Sequence, residues 1–259
     1  MQPGRSNGGS DRRYASVPGV APTPDARLRV KNGERELIFD EVKKDLPLAA
    51  AAREVAISSK FAAIDDMVRV IAEREKMSAE ETLALVTNNS GFTLLHVAAQ
   101  HGRTEMVDYL FREQMFTNRI ALRTTMLLAR NVTLDRPIHI AARSDSIDFI
   151  RSLVSRGVTV NSSGAAGFTP LHFAVQAQHR QLIRDLVEIG SDLNIQNMGG
   201  ETPLHLAVHK GDLETVTYLL DKGADATVRN AGDSMPGVVA RGLRNREIHD
   251  LFVARDLPF

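Results

Sequence analysis

One short phrase recurs four times along this chain and restricts its fold more than any other feature. It reads Phe92-Thr-Leu-Leu-His96, Arg136-Pro-Ile-His139, Thr169-Pro-Leu-His172 and Thr202-Pro-Leu-His205. The last three histidines are 33 residues apart and the first gap is 43. A unit of that length cannot bury its own apolar face, so copies must stack and share a core. The repeat therefore predicts an elongated array rather than one closed core.

Each residue of the phrase has a physical role. A threonine hydroxyl can cap the first helix, and proline suits the first helical position, where no N–H is needed. Leu204 and Ala207 form a buried stripe that lets neighbouring helices approach closely. Ile183, Leu186 and Val187, like Val216, Leu219 and Leu220, give the second helix its apolar face. Gly157, Gly190 and Gly223 follow that helix and suit a left-handed stop. Histidine at a fixed period also raises a metal reading. Equivalent positions on stacked helices lie roughly 8–10 Å apart, whereas zinc needs nitrogens at about 2.0–2.1 Å. The spacing therefore predicts a structural imidazole.

Taken together, Thr-Pro-Leu-His, the 33-residue period and the closing glycines resemble the ankyrin repeat, whose hallmark is T-P-L-H-x-A. The resemblance covers residues 88 to about 255 and implies an all-α fold. That fold is an ankyrin-type helix-turn-helix solenoid with β-hairpin fingers and a helical N-terminal cap. It also implies that the histidine braces the threonine and neighbouring backbone. Repeats begin near Asn88, Asn131, Gly164 and Asn197, with a worn fifth copy from Asn230. Arg136 breaks the pattern where threonine is expected, and Asp135 is the candidate substitute cap.

The rest of the chain divides around this array. Residues 1–35 are rich in Gly, Ser and Pro and read as a disordered tail. Residues 36–87 read as a helical N-terminal capping region. There Ile38, Phe39, Val42 and Leu46 recur at helical spacing, Ala49 to Ile57 and Ala62 to Glu75 read as further helices, and Ser78 opens a capping box. Residues 88–229 hold repeats one to four, with an insertion near 115–134, and 230–259 form a degenerate C-terminal capping repeat.

Composition narrows the function. Lys+Arg and Asp+Glu are equal at 32 each, so no overall field attracts nucleic acid. Cysteine is absent, which removes disulfides, thiol nucleophiles and the usual structural zinc sites. No apolar run is long enough to span a membrane, and no secretory leader is visible. P-loop, nucleophile-elbow and dinucleotide-glycine patterns are missing too. The expectation is a cytoplasmic, non-enzymatic monomer without cofactor or metal that binds one or more proteins. The alternatives are a bacterial effector that binds host proteins after secretion, or an anion or nucleic-acid binder working through the insertion.

In ankyrin-like proteins partners dock on the fingers and the inner face of the first helices. Carried onto this chain, those positions are Asn89, Ser90, Phe92, Gln100 and His101 in repeat one, and Val132, Thr133, Asp135, Arg143 and Ser144 in repeat two. Repeat three gives Ala165, Ala166, Phe168, Gln176 and Ala177, and repeat four gives Met198, Gly199, Glu201, His209 and Lys210. Phe92 and Phe168 are candidate anchors, or rings folded back on their own fingers. Within the insertion, Arg119, Arg123 and Arg130 are candidates for an acidic partner, while Ile120, Met126 and Leu127 suit packing. Asn194 follows a Leu-x5-Asp-Leu context similar to that of hydroxylated ankyrin asparagines, and also suits consensus structure.

Overall fold

The computed structural model describes residues 26–31, 34–39, 86–88, 90–111 and 120–259, with positions 73, 76 and 78. Helix pairs follow one another through the repeats: α1 (Leu94–Gln100) with α2 (Thr104–Leu110), α4 (Pro137–Arg143) with α5 (Ile147–Val154), and α6 (Pro170–Ala177) with α7 (Arg180–Glu188). They continue as α8 (Pro203–Lys210) with α9 (Leu213–Asp221), and α10 (Pro236–Gly242) with α11 (Arg246–Ala254). A further helix, α3 (Ile120–Leu128), lies in the insertion.

The inner layer stacks α1 on α4, α4 on α6, α6 on α8, and α8 on α10. In the outer layer α2 meets α5, α5 meets α7, and α9 meets α11. One alanine per repeat makes the inner approach close: Ala98, Ala141, Ala174, Ala207 and Ala240 are all fully buried. Outer helices fill the space behind them with Leu110, Leu153, Leu186, Leu219 and Phe252, also fully buried. A small residue on one layer facing a large one on the other gives interdigitated packing at near-crystal density. The core is a stripe along the array, as stacking requires.

Helix starts follow the sequence chemistry. Thr93, Thr169 and Thr202 have extended backbone, and their hydroxyls accept from the N–H of His96, His172 and His205. Replacing Thr169 with alanine is expected to cost about 1 kcal/mol, read as a lower urea midpoint. Gly157, Gly190 and Gly223 hold φ of +91°, +95° and +93° after α5, α7 and α9.

Beyond the first, which is flanked by a bridge between Thr87 and Thr93, the fingers are turns rather than strand pairs. Three of them are closed locally by an asparagine: Asn131 Oδ1 accepts from the N–H of Thr133 and Asp135, Asn197 Oδ1 from Gly199 and Glu201, and Asn230 Oδ1 from Gly232 and Ser234.

Two expectations differ near the N-terminus. Residues Ala26–Lys31 (β1) and Glu34–Phe39 (β2) pair as antiparallel strands, and β2 runs parallel to Val86–Asn88 (β3). The tail assigned to 1–35 thus includes strand, and Ile38 and Phe39 belong to β2 rather than to a helix. The dipeptide Asn32-Gly33 between the two runs was the available signal, since it favours a tight hairpin over a helical start. The helices expected at Ala49 to Ile57 and over most of Ala62 to Glu75 lie outside the described residues; Glu73 is helical.

In the insertion, Met126 and Leu127 are buried in the core. The apolar side of α3 therefore packs on the stack. Arg119 and the side chains of Ile120 and Arg123 lie outside the described residues.

Candidate functional site

Four imidazoles fix the inner layer. Thr93, Thr169 and Thr202 each donate a backbone N–H and offer a hydroxyl to the Nδ1 of the histidine three residues on, at 2.7–3.2 Å. Nδ1 is then an acceptor, so Nε2 carries the proton and donates to the next repeat. Its acceptors are the carbonyl oxygens of Asp135 for His96, Glu201 for His172 and Ser234 for His205, each at 3.0 Å. His139 donates instead to Ser162 O at 2.8 Å. Both ring nitrogens are engaged throughout. Burial pushes His96 and His172 down to about 4 and also lowers His139 and His205.

Repeat two replaces the threonine by arginine. The Arg136 side chain makes no capping bond to α4, although its N–H still donates to His139 Nδ1 at 2.9 Å. Its guanidinium reaches the next repeat, where Nη1 donates to Ser162 Oγ at 3.2 Å. Partial burial and the charge of Arg130 lower its pKa. Asp135 does not take over the cap. Its Oδ1 accepts from the Ala165 N–H at 2.9 Å, across the repeat boundary, and Oδ2 accepts from Thr133 Oγ1 at 3.2 Å.

The candidate residues alternate with a period of two repeats. Phe92 and Phe168 stand before the first helices of repeats one and three, each half-buried, with ring centroids 5.3 Å from His96 and 5.4 Å from His172. Phe168 also lies 5.2 Å from Phe173. Both rings fold back on their own repeats, so they shape the surface from beneath rather than projecting from it. In repeats two and four the same position is acidic and meets a base eight residues on. Asp135 lies 3.6 Å from Arg143, and Glu201 lies 3.1 Å from His209. The Arg143 guanidinium stands 5.6 Å over the Phe173 ring. Gln100 and Gln176 hold the corresponding helix ends in repeats one and three, both exposed.

His101 and Lys210 are exposed beside them, as is Arg130 at the foot of the second finger. Met198 is 79% exposed at the fourth finger tip, and Val132 is 66% exposed at the second. Leu134 is also exposed and was missed from sequence, because repeat register places glycine or aspartate there and draws no attention to it. Asn194 is exposed but hydrogen-bonded to the next repeat. Its Oδ1 accepts from the Asp225 N–H at 2.8 Å, as Asn161 does for Asp192.

No group of three His, Asp or Glu side chains converges as a metal site among the described residues. No described helix is long and apolar enough to cross a membrane.

Comparison with known families agrees with this geometry. A family model described as ankyrin repeats matches residues 138–230 in three copies, and a single ankyrin repeat matches residues 90–117. Such repeats are generally protein–protein interaction modules and typically non-enzymatic. With helix pairs, bracing histidines and finger turns recurring in register across both segments, residues 90–117 and 138–230 of this chain are ankyrin repeats.

Proposed function

We propose that this protein is a non-enzymatic binding module that holds a partner protein on its fingers and concave helix face, with residues 88–229 carrying the contact. The supporting observation is that the fingers are tied into one row. Val132 N–H donates to Ser90 O, Met198 N–H to Ala166 O and Ala231 N–H to Gly199 O, at 2.8–3.0 Å. A surface held by its own backbone loses little ordering entropy when a partner docks.

The test is affinity capture with three baits: the full chain, a Met198→Asp/Lys210→Glu variant, and an Arg119→Gln/Arg123→Gln/Arg130→Gln variant. A partner lost only with the first variant supports the finger and helix surface, with a drop in affinity of about tenfold or more. An unchanged partner on that variant overturns it.

A second reading has its own observation. Arg130 is exposed and Arg136 half-buried, and neither has a carboxylate within ion-pair distance among the described residues. An anionic group could be held there. Loss of the partner only with the arginine variant, together with a steep salt dependence, would favour it.

A further inference from the structure

We infer that the finger row seats one α-helix of the partner, amphipathic and acidic on its flanks; this rests on the binding reading above. The row consists of the residues that follow the finger-closing position in repeats two to five: Val132, Ala165, Met198 and Ala231. All four are apolar, and they alternate large, small, large, small. The two large ones are among the most exposed apolar side chains described, while Ala165 is half-buried and Ala231 exposed. Every backbone N–H in the row is already taken by the preceding finger: Val132 by Ser90 O, Ala165 by Asp135 Oδ1, Met198 by Ala166 O and Ala231 by Gly199 O. The row therefore has no free N–H ladder for an added strand, and recognition falls to side chains.

Pitch selects the occupant. Stacked helices set the fingers roughly 8–10 Å apart. A helix advances about 10.5 Å in seven residues, so one apolar face can meet successive fingers. An extended chain covers that distance in about three residues, an odd number, and would turn alternate side chains away from the row. The alternation adds a finer demand. Ala165 and Ala231 leave holes, whereas Val132 and Met198 are knobs. Large partner residues should thus recur about every fourteen positions, opposite the alanines, with small ones between.

Charge gives the sign of the flanks. Around the fingers and inner helix ends Asp135 is paired with Arg143 and Asp233 with Arg229 at 3.0 Å, while Glu201 contacts the His209 imidazole. Arg130 and Lys210 are exposed and have no carboxylate partner among the described residues. The residual charge beside the row is positive, complementary to acidic flanks.

The experiment uses the full chain and two displayed peptide libraries. One holds helical peptides with acidic flanks and a randomised apolar face; the other has the same composition with a central proline. Selection is repeated on Met198→Asp. The expected result is enrichment of helical clones with large residues about fourteen apart, bound about tenfold more tightly than their proline-broken or lysine-flanked counterparts and equally weakened by Met198→Asp. Equal enrichment from the proline library, tighter binding of lysine-flanked clones, indifference to Met198→Asp, or no saturable clone each overturns the inference. If the captured partner still depends on Met198 and Lys210 while no helix binds, the binding module stands and the helical occupant falls.

Discussion

Lowering the pH from 7 to 4 is expected to unfold the repeat array cooperatively. The histidines that join the repeats are buried and neutral, each accepting at Nδ1 and donating at Nε2. Burial is the largest influence on them and outweighs the nearby carboxylates of Asp135 and Glu201, bringing His96 and His172 from 6.5 to about 4. Above about pH 6.5 these rings are neutral in both folded and unfolded chains, so their contribution is complete. As the pH falls through the window, the unfolded chain takes up protons that the folded one refuses, and stability drops. Below about 4 both forms are protonated and the loss levels off. Moving a ring from 6.5 to about 4 corresponds to roughly 3 kcal/mol, or about 6–7 kcal/mol for the two. His139 and His205 move in the same direction and add to it. That sum rivals the whole stability of an ordinary domain, about 5–15 kcal/mol. Far-UV circular dichroism against pH checks it; an array that keeps its helix content and urea midpoint at pH 4 would refute the account.

The second large effect runs against the usual logic of consensus substitutions. Positions 131, 197 and 230 are asparagines that close their fingers, and repeat register puts glycine at 164. Gly164→Asn restores the pattern and so would ordinarily stabilise. Here it is expected to destabilise by about 2–3 kcal/mol. A Cβ at 164 would stand 2.6 Å from Asp135 Oδ1 and 3.0 Å from the His139 ring. The Asp135 carboxylate occupies that space because it supplies the acceptor for the Ala165 N–H, the role that a carbonyl oxygen of the preceding finger fills for Val132, Met198 and Ala231. Asp135→Ala alone is expected to cost about 1–2 kcal/mol, by orphaning the half-buried Ala165 N–H and leaving Arg143 without its carboxylate. The double variant should recover most of the loss, since an asparagine could then enter the vacated space and close its own finger. Urea midpoints of the four proteins give the coupling directly. Additive losses would show that the two positions do not share one space.

The sequence carried the repeat period, the helix pairs, the histidine braces and the family, because each rests on short-range chemistry repeated in register. A threonine three residues before a histidine makes its cap wherever it stands, and a glycine after a helix makes the same left-handed stop. The apolar stripe was equally legible, from Ala207 on the inner helix to Leu219 on the outer. The surface candidates were named position by position on the same register. What those positions do was not legible, and Phe92 and Phe168 show why. Whether a ring projects or folds back depends on the space left by a neighbouring helix, and here His96, His172 and Phe173 receive them.

Near the N-terminus the apolar positions at Ile38 and Phe39 suit either helix or strand, and pairing with a distant segment at Val86–Asn88 selected strand. Asp135 gives the sharpest division. Its sequence neighbours suggested a cap for the adjoining helix, yet its carboxylate crosses to the next repeat, 30 residues on. Local spacing determined the unit and its copies. Only stacking decided which polar groups meet across the boundary between two copies, because those partners are brought together by packing and not by proximity in the chain.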